Sequence, residues 1–209
     1  MAIDLLSCLS LVPPTMPIRL WNPFRELSGR VQARAIGSNE IEVEIVPESK
    51  TRLTEKRLYF RTIRYVPANL NLGLFMGLWF GEGCHLGEKS KNDVWGLQIT
   101  DFETAQLFIK LLKKIFQCPE DFINPLVYSR EYLKLKNDKR ALAKYKKALV
   151  KYLGAKRVYL QKPTADEAAS YRDRVFIRLY NLALYAIVMG LEKHFKNRFT
   201  KAYSDFVKM

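Results

Sequence analysis

Hydrophobic positions alternate by two between residues 31 and 66 and step by three and four from residue 70, so a β-rich segment gives way to helices. Val31-Gln32-Ala33-Arg34-Ala35-Ile36, the turn signal Gly37-Ser38-Asn39 and Ile41-Glu42-Val43-Glu44-Ile45 predict a β-hairpin. Ile41, Val43 and Ile45 would share one face, with Glu42 and Glu44 on the other. A charged loop from Glu48 to Arg57 leads to a third predicted strand, Leu58 to Val66, and Pro67 marks a boundary. Three strands alone are marginal, so this unit is expected to lean on the segment beyond Pro67. Residues 1–27 scatter Pro13, Pro14, Pro17 and Pro23 among apolar positions and read as an extended arm pinned by Trp21 and Phe24.

The run from Leu70 to Gly83 predicts a helix with Gly73, Gly77 and Gly81 on one face. Each glycine costs about 1 kcal/mol of helix stability relative to Ala. A second backbone packed closely on that face would offset the cost. The run ends at Glu82, where exposed carbonyls already make the field negative, so the acid calls for a neighbouring cation.

Two short strands follow, Cys84 to Lys89 and Val94 to Thr100, joined by Ser90-Lys91-Asn92-Asp93. In the second, Trp95, Leu97 and Ile99 alternate with Gly96, Gln98 and Thr100. Thr100-Asp101-Phe102-Glu103 has capping-box spacing and opens a helix through Gln117, with Ala105, Phe108, Leu111, Leu112 and Ile115 as its core stripe. A basic helix then presents a seam of Leu142, Tyr145, Leu149 and Tyr152 and stops near Gly154. Arg157 to Gln161 and Arg174 to Tyr180 read as strands, separated by a polar segment with capping spacing at Thr164 to Glu167. Val175, Ile177 and Leu179 alternate there with Arg174, Phe176, Arg178 and Tyr180. Leu182 to Phe195 is apolar nearly all round and predicts a buried helix, and Phe199, Tyr203 and Phe206 suggest a last short one.

Charge changes the picture. The chain of 209 residues has a formal net charge of +14, which points to a polyanionic partner. Between Arg130 and Lys162 the only acids are Glu131 and Asp138. Arg140, Lys144, Lys147 and Lys151 line one side of the basic helix without i,i+4 acids, so phosphate contact is favoured over a merely solvated face. Cys8, Cys84 and Cys118 are odd in number and form no CxxC, so neither a disulfide framework nor a zinc ribbon is suggested, and a reducing cytoplasmic setting, nucleoid-associated in a prokaryote, fits best. No apolar run reaches the roughly 20 residues of a membrane span. Asp4 ahead of Leu5 to Val12, with no preceding Lys or Arg, argues against a signal peptide. Cys84 and His85 are adjacent on a strand and point to opposite faces, so they form no catalytic dyad. His194, near a helix C-terminus, reads as a surface residue favoured by the dipole.

The order of elements from residue 70, headed by Phe75-Met76-Gly77-Leu78-Trp79-Phe80-Gly81-Glu82-Gly83, resembles the LAGLIDADG homing endonuclease family. The match runs over roughly 70 to 196. It departs at Phe80, where many members have an acid. The resemblance implies an α+β fold, an αββαββα saddle in residues 67–209, here with an inserted basic helix and a small N-terminal β extension in residues 1–66. It implies a site-specific DNA endonuclease, intron-encoded in type, in which Glu82 and the carbonyl of Gly81 hold Mg²⁺ or Mn²⁺. Asp101, Gln98 and Arg178 are the further candidates at the cleavage centre. Asp101 would organise water there, or else serve only as a helix N-cap.

A single motif copy implies a homodimer about Gly73, Gly77 and Gly81, acting on a near-palindromic double-stranded DNA site. With Leu86, Leu97, Val158, Leu160 and Ile177 inward, the DNA face would hold His85, Lys89, Gln98, Arg157, Tyr159, Gln161, Arg174 and Arg178, joined by Lys91 in the loop and by Lys144 and Lys147. Gln98 and Gln161 suit adenine, and the arginines suit guanine or phosphate. The alternative keeps the saddle without cleavage, as a sequence-specific DNA-binding regulator or an RNA-binding splicing factor.

Overall fold

Alternation of apolar and acidic residues organises the first sheet of the computed structural model, which describes residues 1–19, 26–49, 55–85, 94–162 and 173–207. Strands β1 (Ala2–Asp4), β2 (Thr15–Arg19), β3 (Glu26–Ile36), β4 (Glu40–Pro47), β5 (Tyr59–Ile63) and β6 (Tyr65–Pro67) are interrupted by the short helices α1 (Leu5–Leu9) and α2 (Glu55–Leu58). The predicted hairpin is β3–β4, with Ala35 opposite Ile41 and Ala33 opposite Val43. An antiparallel sheet forms in the order β2-β3-β4-β5, and β1 pairs separately with β6.

Ile41, Val43 and Ile45 are fully buried, as are Ile18 and, nearly so, Phe60. The long helix α7 (Leu182–Val207) packs on β4 and β5 and takes α1 against its side. Gly190 makes that approach feasible, because a Cβ there would sit 2.7 Å from the carbonyl oxygen of Cys8. Asn181 caps α7 by accepting from the Leu184 N–H at 2.6 Å, and its own amide donates to the Tyr59 carbonyl at 2.8 Å. Asp4 caps α1 and receives the Arg64 guanidinium at 3.0 and 2.8 Å, which holds its carboxyl below the usual range.

Three expectations change here. Residues 1–19 are not an extended arm: they supply β1, α1 and β2, because Ile3, Leu5, Cys8, Leu9, Met16 and Ile18 all find burial. The pinning residues Trp21 and Phe24 lie outside the described residues. The helix from Leu182 runs unbroken to Val207, so the expected last short helix is its continuation. The chain divides into two compact units, one taking in Met1–Asn69 and the chain from Asn181, the other lying between Leu70 and Tyr180. The expected boundary at 67 falls three residues from the first division, but α7 belongs with the N-terminal sheet.

The second unit contains α3 (Leu70–Glu82), β7 (Gly83–Cys84), β8 (Trp95–Ile99), α4 (Phe102–Phe116), β9 (Ile123–Tyr128), α5 (Arg130–Leu135), α6 (Lys139–Leu153), β10 (Tyr159–Gln161) and β11 (Arg174–Leu179). Its sheet runs β10-β9-β11-β8-β7, antiparallel except for the β10–β9 edge. Trp95, Leu97, Val175, Ile177 and Leu179 bury one face beneath α3 and α4. Phe75 of α3 stacks on Phe108 at 5.3 Å and meets Phe116 edge-on at 5.1 Å. Asp101 caps α4, and Gln117 ends it in the left-handed region.

Strand β9 has no counterpart among the predicted elements, since Asn124-Pro125 looks like a loop signal. Pro125 precedes the part of β9 that β10 covers, which starts at Leu126. The predicted strand from Arg157 shrinks to Tyr159–Gln161 and pairs in parallel. Helix α6 ends at Gly154 as expected, but its buried residues are Leu149 and Leu153, and Tyr152 is 42% exposed. The segment Thr164 to Glu167 lies outside the described residues.

Candidate nucleic-acid interface and metal-binding end of the glycine helix

Helix α3 turns its aromatic side inward and leaves its glycine side open. Leu72, Phe75, Met76 and Trp79 are buried, whereas a Cβ added at Gly73, Gly77 or Gly81 would meet nothing within 4 Å. Leu70 is 77% exposed, and Leu74 and Phe80 are exposed beside these glycines. The described residues therefore provide no backbone to offset the helix cost of the three glycines. One flat apolar stripe is left uncovered.

That helix delivers Glu82 to solvent at its last residue. Gly81, Glu82, Gly83, Cys84, Gln98, Ile99, Thr100 and Arg174 line a cavity of about 370 Å³. Gly83 is required for the sharp exit into β7, because a Cβ there would strike the Trp79 carbonyl and ring. Gln98 pairs with Phe176, which places Arg174 two residues along β11 on the same sheet face. A carboxylate, the terminal carbonyls of a helix, an amide and a guanidinium thus converge at one end of α3. The terminal helix carbonyls lack intrahelical partners, so this end suits a cation. Asp101 stands outside the lining. Its carboxylate accepts from the Glu103 N–H at 3.2 Å, from the Thr104 N–H at 2.9 Å and from the Thr104 hydroxyl. These bonds, the hydroxyl first, hold it below the usual carboxylate range.

Of the residues expected on one sheet face, five stand on one side of the sheet among the described residues. Arg174, Arg178 and Gln98 share that side, and Tyr159 and Gln161 pair beside Leu126 and Tyr128 on β9. His85 does not join them: Cys84 sits opposite Gly96 and takes that side, while the His85 ring packs edge-on against Trp79 at 5.1 Å. The alternation is set by the Cys84–Gly96 pair, one residue out of step with the expectation. Leu86, Lys89 and Lys91 lie outside the described residues. The middle of the face is apolar, with Cys84, Val94, Leu126 and Phe176 clustered against Tyr128 and Tyr180. Phe176 separates Arg174 at the Glu82 end from Arg178 at the other.

Two residues of this face are not among the sequence candidates. Asn124, 4% exposed, accepts a hydrogen bond from Arg157, and Lys146 approaches the Tyr159 ring. Only the missed strand β9 could have revealed Asn124.

The basic helix behaves as its charge pattern requires. Arg140, Lys144, Lys147 and Lys151 are exposed, and none forms an ion pair among the described residues. On the expectation of phosphate contact, the double variant Lys144→Ala/Lys147→Ala should reduce the salt dependence of binding to duplex DNA by about one unit of slope for each phosphate no longer neutralised. Binding measured across a salt series checks this, and an unchanged slope returns the helix to solvent. The three cysteines are buried and free, with burial pushing the Cys8 thiol up to about 11 and the Cys118 thiol up to about 12, so neither is a nucleophile. Burial and Arg198 lower the His194 pKa, and its Nε2 is buried without a hydrogen bond, so it is not the surface residue expected.

The described residues define a mixed α+β protein with largely antiparallel sheets, and no helix among them is long and apolar enough to cross a membrane. The chain matches no protein-family model, no curated protein and no solved structure.

Proposed function

We propose that the protein is a site-specific, divalent-metal-dependent DNA endonuclease of the LAGLIDADG type, acting as a homodimer. The observation that carries the reading is the open glycine stripe of α3 ending in an exposed carboxylate. A stripe of Leu70, Gly73, Leu74, Gly77 and Gly81 that no described residue covers is suited to a second copy of itself across a two-fold axis. Such a pairing brings together two copies of Glu82, each beside its own helix-terminal carbonyls. The residues fit a hard cation: Glu82 and the Gly81 carbonyl offer oxygen, and Mg²⁺ keeps several waters of its own. When bound, the ion would polarise the scissile phosphate and supply an activated water. Gln98 and Arg174 line the same cavity, where they can orient the phosphodiester and balance its charge. The sheet face and the unpaired cations of α6 then grip the flanking duplex.

Gly77→Leu tests the axis with opposite signs. The side chain meets open space in the single chain, so fold stability should hold or rise by up to about 1 kcal/mol. Dimerisation by sedimentation, and cleavage with it, should be lost. A dimer that survives this change is built on another surface.

A second reading keeps the fold and discards the chemistry. Arg174 lines the cavity with Glu82, so the acid has a protein cation within reach without a metal. A non-cleaving sequence-specific regulator would use the same surfaces. The two readings separate on whether selected DNA is cut when Mg²⁺ or Mn²⁺ is added.

A further inference from the structure

At the β10 edge of the second unit, positive charge gathers around one tyrosine. The guanidinium of Arg178 lies 5.0 Å from the Tyr159 ring centroid, that of Arg157 lies 5.7 Å away, and the Lys146 ammonium 6.0 Å. Tyr159 is 40% exposed. None of the three cations has a carboxylate partner among the described residues. Gathered like charges repel one another, so an anion placed against the cluster would relieve that repulsion.

What holds them is neutral. Asn124 sits opposite Arg178 in the β9–β11 ladder and is 4% exposed. Its side-chain amide donates to the Phe122 carbonyl at 3.1 Å, which turns the oxygen toward Arg157. That oxygen accepts from Arg157 Nε at 2.8 Å, and the backbone carbonyl of the same residue accepts from Arg178 Nε at 3.4 Å. One buried residue thus engages the inner nitrogen of both guanidiniums and leaves their outer pairs free. Two parallel N–H donors at the end of a fork match the O6 and N7 acceptors of guanine in the major groove. An aspartate at this position would keep an acceptor for Arg157, but it would lose the donor to Phe122 and cancel the charge. An asparagine orients the fork and preserves it.

We propose that Asn124 is a positioning residue for base readout, aiming Arg157, with Arg178 beside it, at a guanine flanking the centre of the DNA site. Tyr159 fixes the planes of the guanidiniums by cation–π contact. The inference rests on the DNA-binding reading above and adds to it a residue and a base.

The test is selection of bound duplexes from a random library by the full chain, run for wild type, Asn124→Ala, Arg157→Ala and the double variant. Wild type should retain one guanine position on each side of its site. The three variants should each relax preference at that position by on the order of tenfold or more, to the same extent, with other positions unchanged. Equal loss in single and double variants shows Asn124 acting through Arg157, which a merely structural role would not produce. Should Asn124→Ala fail to fold, Asn124→Asp keeps the volume and the acceptor. It should weaken binding to every sequence while Arg157→Ala still relaxes the one position. An unchanged base preference, additive losses, or a uniform loss with a shallower salt slope in Asn124→Ala or Arg157→Ala overturns the proposal while leaving DNA binding in place. A wild type that retains no DNA overturns the DNA-binding reading itself.

Discussion

Glu82→Gln should leave selected DNA uncut in the presence of Mg²⁺ while binding it as well as, or better than, wild type. The amide keeps the shape of the side chain and cannot contribute the negative charge that a hard cation needs. Loss of one such ligand removes several kcal/mol of transition-state stabilisation, so the single-turnover rate should fall on the order of a thousandfold or more. Binding moves the other way because Glu82 is exposed and would stand close to backbone phosphates. A gel assay of nicking on the selected site, paired with an equilibrium binding curve, reads both effects. Undiminished cutting by the Gln variant would place the chemistry elsewhere.

Gly96→Ala should produce the largest loss of stability of any Gly→Ala change at the described glycines of the second unit. The residue has φ of +145°, a region that L side chains rarely adopt, and an added Cβ would collide with the Ile177 carbonyl carbon and oxygen. Strand β8 lies between β11 and β7, so it cannot shift without parting from a ladder on either side. A penalty of about 4 kcal/mol or more is expected from urea unfolding. A loss below about 1 kcal/mol would mean that β8 relaxes, and with it the placement of Gln98 in the cavity.

Much of this architecture can be read from residue pattern because the pattern has one dominant cause. Strand β4 alternates because it buries one face, with Ile41, Val43 and Ile45 at 0% exposure between more open polar residues, and the bounds of α4 and α6 are set by the caps Asp101, Asp138 and Gly154. Strand β9 is hidden because it is enclosed. Its residues Ile123 to Val127 are all buried, so it shows no alternation, and Asn124-Pro125 imitates a turn. The arm of residues 1–19 is misjudged for a different reason. Pro13 and Pro14 precede β2 and Pro17 lies inside it, and the segment's partners β3, β6 and α7 lie further along the chain, where no local pattern points.

The site divides in the same way. Glu82 and Gln98 line one cavity with Arg174, whereas the expected Arg178 and Asp101 stand outside it, because the helix end and the two strands each fix one lining residue. His85 is displaced by a one-residue register, which alternation alone cannot determine. Asn124 matters only through what it holds, and that depends on the fold.

Gly190 has a consequence for the order of assembly. The glycines of α3 look out on solvent, while Gly190 is the helical glycine pressed against a neighbouring backbone, joining α7 to α1. The core of the first unit therefore requires residues from both sides of the Leu70–Tyr180 segment. On a ribosome, the middle of the protein is complete while the sheet of β2 to β5 still lacks the helix that covers it. The first unit can be completed only after α7 is made, and its completion closes that long loop.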